Sequence, residues 1–151
     1  MDGNGLDLRV RRVVVIEFNI EPLGKVWDEC IELAKKHWWE TEAYRHNQPF
    51  APDFERYNQF AQVGWFLMFT ARDEGKLVGY AGMYLVQSMH TQKMIATEDT
   101  WFLLPEYRKG RNAIRFYNFV EKECRSRGAT EITMTVKTVN QAGKILEYLG
   151  Y

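Results

Sequence analysis

The chain is expected to fold as one mixed α/β domain, and three observations predict it. Its 151 residues, 46% of them hydrophobic, suffice for a single buried core and are too few for two ordinary domains. The apolar period alternates between about 3.6 and 2 in the order strand, two helices, three strands, helix, strand, helix. Turn and breaker residues such as Gly75, Pro105 and Gly128 mark joints between these segments, and no internal repeat or low-complexity linker interrupts them.

Met1 to Leu8 is rich in Gly, Asp and Asn and is expected to fray. "RRVVVIEF" is β-branched and reads as the first strand. Residues Lys25 to Trp39 repeat Val26, Trp27, Cys30, Ile31, Ala34 and Trp38 at helical steps. The segment "ETEAYRHNQPFAP" carries two prolines and reads as a loop. Asp53 then suits the N-cap of a helix over Phe54 to Val63.

At "GWFLMFTA" the pattern changes to that of a buried strand. "RDEGK" is a hairpin turn, with Gly75 free to take a positive φ. "LVGYAGMYLV" is the partner strand, and "KMIATEDTWFLL" completes an antiparallel meander, ended by Pro105. A helix from about Asn112 to Arg127 would bury Ile114, Phe116, Tyr117, Val120 and Cys124, with Gly128 as its C-cap. "TEITMTV" alternates as a strand. "VNQAGKILEYLGY" reads as a final helix with Ile145, Leu146 and Leu149 on one stripe.

Composition narrows the function. Twenty basic and twenty acidic side chains balance, which argues against a nucleic-acid or membrane partner. The start "MDGNGLDLRV" lacks a signal-like apolar core, and no 18-residue apolar run occurs, so a cytoplasmic location is expected. Cys30 and Cys124 lack short spacing and read as buried free thiols. His37, His46 and His90 lack metal-ligand spacing, so no metal is expected. Their default reading is surface or cap positions.

The stretch "LPEYRKGRNAIRFYNFVEKECRSRG", Leu104 to Gly128, stands out. It places Arg108, Lys109 and Arg111 around Gly110, where a helix begins. Cations at the positive end of a helix dipole are repelled by up to about 1 kcal/mol. A bound anion would relieve that repulsion. Unpaired amides at the helix start, close backbone approach at Gly110 and charge-assisted contacts together suit a phosphate.

With "GKLVGYAGMYL" before it and "AGKILEYLGY" after it, this stretch resembles the GNAT superfamily of N-acetyltransferases. The resemblance spans about Trp65 to Tyr151, and the preceding strand and helix pair fit the same order. In layout it is similar to GNAT-like proteins encoded by tailed phages. It implies a GNAT-like, mostly antiparallel central sheet flanked by helices, splayed after the fourth strand, with acetyl-CoA in the V-shaped cleft. The family's pyrophosphate loop reads Gln or Arg, two residues, Gly, one residue, Gly or Ala. Arg108 and Ala113 match its ends, but Arg111 replaces the middle glycine. The resemblance implies that the backbone of Phe102, Leu103 and Leu104 pairs with pantetheine. It implies that the amides of Lys109, Gly110, Arg111, Asn112 and Ala113 hold the diphosphate, with the Arg108, Arg111 and Lys109 side chains assisting. The family's asparagine contact would fall on Val139, with Asn140 adjacent.

Acetyl transfer to an amine needs a base near the thioester. "ATEDTW" offers Glu98 and Asp99, which strict strand alternation sends to opposite faces, so that only one reaches the cleft without a bulge. Glu98 is favoured because it shares parity with Thr100 and Phe102. The tyrosine that serves as acid in many family members would fall on Leu146, which cannot donate a proton. Tyr148, about 200° further round the helix, reads as a packing residue. "KHWWETEAYRHNQPF" is the candidate acceptor-reading segment, and its acidic groups suit a cationic amine on a small molecule or a protein. The sequence ends at Tyr151, where family members usually continue into closing strands, and an edge so exposed would favour a homodimer. Loss of the tyrosine also keeps a second reading open: a GNAT-like CoA-binding or interaction module without catalysis.

Overall fold

The computed structural model describes residues 13–43, 45, 47–137 and 141–151. Strand β1 (Ile16–Ile20) leads to helices α1 (Leu23–Thr41) and α2 (Phe54–Gln62). The meander β2 (Phe66–Asp73), β3 (Lys76–Gln87) and β4 (Met94–Leu103) follows. A single 3-10 turn, Pro105–Tyr107, then precedes α3 (Asn112–Ser126), β5 (Ala129–Thr133) and α4 (Ala142–Tyr148). The five strands form one sheet in the order β1-β2-β3-β4-β5. Pairing is antiparallel except between β4 and β5, which are joined by the α3 crossover and run parallel. The predicted mixed fold is therefore the one observed.

Each face of the sheet is closed by helices because its residues alternate. Phe66 packs on Tyr57 of α2, and Tyr80 on His37 of α1. On the opposite face Phe18 stacks on Phe116 and Phe69 meets Phe119, both from α3. Asp53 caps α2 as expected, its carboxylate accepting from the Arg56 amide at 3.1 Å. The β2–β3 hairpin turns at Glu74 and Gly75, both with positive φ. Cys30 and Cys124 are buried free thiols, and burial raises their pKa values to about 12 and about 11. Between sheet and α1, Arg72 bonds to the carboxylates of both Glu21 and Glu29, and Glu21 also accepts from Thr70.

Several boundaries differ from those expected, for physical reasons. β1 starts at Ile16, because Asp73 opposite it is the last residue of β2; Val13 to Val15 have no strand to pair with and are exposed. The expected fraying at Met1 to Leu8 lies outside the described residues. β5 ends at Thr133 although its sequence alternates to Val136. Its partner β4 pairs with it only from Met94 to Thr97, and beyond that point the two strands separate. This is the splay after the fourth strand. Ile114 is half-buried, and Ala113 takes the buried place at the start of α3. Tyr148 is 74% exposed on the short α4, not packed as expected, while Leu146 is buried.

Candidate active site

The opening between β4 and β5 sits beside two adjoining cavities. The first, ≈ 350 Å³, lies between the sheet and α1–α2 and reaches from Trp27 and Tyr57 to Glu98 and Asp99. The second runs along the end of β4 past Phe102 and Leu103 to Arg108, Ala113 and Ile145. His37, Thr41, Trp101 and Ala142 line both, so the cavities meet there.

The carboxylates reach the same cavity through an irregularity in β4. Gly82 pairs with Thr100 and Met83 with Glu98, leaving Asp99 as the extra residue of a β-bulge. Strict alternation is thereby broken, and the expectation that only one carboxylate faces the cleft is replaced by both lining it. Glycine at position 82 permits the arrangement, because a Cβ there would lie 2.7 Å from Phe66 Cζ. The buried Thr100 hydroxyl next to the bulge has no hydrogen-bond partner among the described residues.

The two carboxylates are held differently. Glu98 Oε2 accepts from the Thr135 amide at 2.9 Å, bridging β4 and the chain after β5 where the backbone ladder has ended. Asp99 Oδ2 accepts from the Tyr57 hydroxyl at 2.9 Å. Burial holds both pKa values above the ordinary carboxylate range. For Glu98 the Thr135 amide opposes this, the neighbouring Asp99 charge adds to it, and Lys137 opposes it. For Asp99 the hydroxyls of Tyr57 and Tyr84 oppose it.

His37, expected at the surface, is instead at the junction of the cavities. Its ring stacks on Phe102 at 4.9 Å, and Nδ1 lies 2.9 Å from the Tyr80 hydroxyl. Burial lowers its pKa to about 4, despite Glu40 and Glu42 nearby, so the ring is neutral at pH 7. Its place on the inner stripe of α1, three residues after Ala34 and seven after Cys30, is the signal that could have revealed it. Of the candidate acceptor segment, Trp38 packs on Phe50 and Glu42 lines the first cavity, where it pairs with Lys137. Trp39 is exposed, and His46 lies outside the described residues.

At the other end, the basic loop is partly self-neutralised. Arg108 forms a two-pronged pair with Glu40 of α1 at 2.6 and 2.8 Å, and its Nε donates to the Leu103 carbonyl at 2.7 Å. Its guanidinium also lies 5.2 Å from the Phe102 ring centre. Of the backbone expected to meet pantetheine, the Leu103 carbonyl is thus taken, and the Leu104 amide donates to Val78. Lys109 and Arg111 are exposed. Gly110 has a φ of +69°, which a residue with a side chain rarely adopts, and a Cβ there would face open space. The Asn112 side chain pins the loop by donating to the Tyr107 carbonyl at 3.1 Å. Among the described residues no side chain caps α3, so its first amides are available to an anion. Asn140 lies outside the described residues.

Among the described residues, no group of three or more His, Cys, Asp or Glu could hold a metal ion, and no helix is long and apolar enough to cross a membrane.

The model of the acetyltransferase (GNAT) family matches residues 27–150. No curated protein matches the chain by sequence comparison. Among solved structures, the fold is similar to the ribosomal-protein-alanine N-acetyltransferase of Brucella melitensis biovar Abortus 2308. The TM-score is 0.71 at 17% identity, with 90% of this chain and 89% of that one covered. It is similar also to an aminoglycoside acetyltransferase from an uncultured soil metagenomic sample in complex with sisomicin, with a TM-score of 0.70 at 13% identity; 89% of this chain and 86% of that one are covered. A third is the aminoglycoside N-acetyltransferase AAC(6')-Iy in complex with CoA, with a TM-score of 0.71 at 18% identity and coverage of 94% and 91%.

Proposed function

The chain belongs to the acetyltransferase (GNAT) family, and on that premise we propose that it transfers the acetyl group of acetyl-CoA to a primary amine. One observation carries this reading. The two cavities meet beside His37 and Trp101, with the uncapped start of α3 near one end and the Glu98–Asp99 pair at the other. A long anionic thioester and an amine could therefore approach each other from opposite sides.

The residues present fit acetyl-CoA. The amides of Lys109 to Ala113 would hold its diphosphate, with Gly110 giving the backbone access and Lys109 and Arg111 adding charge. Phe102, Leu103 and Leu104 would border the pantetheine arm. Arg108 serves the site by bracing the loop against Glu40, and it binds diphosphate only by exchanging that partner. Asn140 joins the set on resemblance alone. The bound group supplies an activated acetyl carbonyl. Glu98, the favoured base, and Asp99 beside it attract the incoming ammonium and take up its proton, directly or through water. Their raised pKa values make each a stronger proton acceptor than an ordinary carboxylate.

The burial of Leu146 at the place of the family's acid tyrosine favours a second reading, a CoA-binding module without catalysis. One assay separates the two: free thiol release from acetyl-CoA by the purified chain across a panel of amines. Amine-dependent thiol release supports the transferase. Release that no amine accelerates, with CoA still bound, supports the module.

A further inference from the structure

The first cavity has an aromatic side, facing a polar side that includes Thr41, Thr100, Thr135 and Lys137. Trp27 packs on Tyr57 at 5.9 Å and on Phe54 at 5.0 Å, Tyr57 packs on Phe66 at 5.1 Å, and Trp38 with Phe50 closes another side. Its ≈ 350 Å³ falls within the roughly 300–1,000 Å³ of small-molecule sites. At its sheet end stand Glu98 and Asp99, both half-buried. Among the described residues neither forms an ion pair; their hydrogen-bond donors are the Thr135 amide and tyrosine hydroxyls. Carboxylates partly withdrawn from water and lacking a direct ion-pair partner are costly, and the cost falls when a cation arrives.

Other acidic groups nearby are already committed. Glu40 is paired with Arg108 and Glu42 with Lys137. Lys137 lines the same cavity and its charge reaches Glu98, but it pairs with Glu42; among the described residues this leaves one cationic position at the Glu98–Asp99 end, with an aromatic chamber behind it. A polyhydroxylated polycation needs several carboxylates open to it at once, whereas the third carboxylate of this lining, Glu42, is held by Lys137. A single ammonium on an apolar, ring-sized body satisfies both ends of the cavity, by charge at one end and by ring packing at the other.

We infer that the acceptor is a small arylalkylamine-type monoamine, its amino group at Glu98 and Asp99 and its ring among Trp27, Tyr57 and Phe66. This inference rests on the proposed amine acetylation and narrows it. In the reaction the amine nitrogen, once deprotonated, forms the new C–N bond to the acetyl carbon. The thioester C–S bond breaks, and the sulfur leaves as thiolate. Nitrogen loses two protons, one before attack and one as the amide forms; both go to the carboxylate pair or to water, and the thiolate takes one from solvent, leaving one proton released per turnover.

The test compares kcat/KM for phenethylamine and tryptamine with that for kanamycin, spermidine, an alanine-started peptide and a lysine-containing peptide. The full chain is used with acetyl-CoA, and free thiol is read. At least a tenfold preference for the two arylalkylamines is expected. Trp27→Ala should raise their KM several-fold, with the apparent KM for acetyl-CoA unchanged. Wild-type preference stands as evidence even if that variant does not fold. Preference for the sugar, polyamine or either peptide overturns the inference and leaves amine acetylation standing. Turnover of none of them overturns both.

Discussion

Nδ1 of His37 lies 2.9 Å from the hydroxyl oxygen of Tyr80, joining α1 to the centre of β3 at the point where the two cavities meet. The bond holds the imidazole in place while burial keeps it neutral.

That neutrality has a cost in acid. In the unfolded chain the ring takes a proton near pH 6.5, but in the fold only near pH 4. Between those values the unfolded state binds more protons, so stability is full above about pH 6.5 and falls as pH drops toward 4. The contribution is on the order of 3 kcal/mol. Chemical denaturation across this window should show wild type losing more stability than His37→Phe, which cannot protonate. Parallel pH profiles for the two proteins would refute this account of His37.

The bulge at Asp99 predicts that both carboxylates matter to turnover. Glu98→Gln and Asp99→Asn should each lower kcat by about tenfold or more, within the range for lost acid–base assistance, and leave CoA affinity unchanged. The raised pKa values move the acid limb of kcat upward, so wild-type activity should begin to fall at a higher pH than for an ordinary carboxylate. A pH–rate profile flat through this region would contradict the assignment.

Most elements were legible in the sequence because they follow from local pattern. The helical stripe of α1, the Asp53 cap and the Glu74–Gly75 turn each depend on residues within a few positions. What was not legible depends on distant partners. Nothing around "ATEDTW" announces a bulge, which arises where β4 is paired to Gly82 and Met83 of another strand. The early end of β5 reflects the departure of β4, not its own alternation. The basic loop was legible as an oddity, but its pairing with Glu40 spans 68 residues and was not. The loss of the family tyrosine at Leu146 could be counted from sequence; the exposure of Tyr148 follows from the short α4.

Arg108 and Arg111 should behave differently although both are basic loop residues. Arg111→Ala removes an exposed charge, and CoA binding should weaken by about tenfold, with a shallower salt dependence. Arg108→Ala also releases Glu40 beside the proposed diphosphate, so its loss should be larger. Adding Glu40→Gln to Arg108→Ala should restore part of the affinity. Additive losses in the double variant would show that the pair does not act this way.

The Arg72 cluster is a separate matter of stability. Arg72 is largely buried and bonded to both Glu21 and Glu29. These bonds lower the pKa of both carboxyls, against the effect of burial. Arg72→Met leaves the more buried Glu21 without its cation and should cost about 3 kcal/mol in denaturant unfolding. A loss within a few tenths of a kcal/mol of zero would show that solvent screens the cluster.

The central claim is that the loop Arg108 to Ala113 and the end of β4 seat acetyl-CoA. Isothermal titration of the purified chain with CoA tests it most directly. The account predicts one site per chain with a dissociation constant in the micromolar range, weakening as salt is raised and again in Arg111→Ala. Absence of binding heat at about 1 mM CoA, or binding indifferent to salt and to Arg111→Ala, would contradict it.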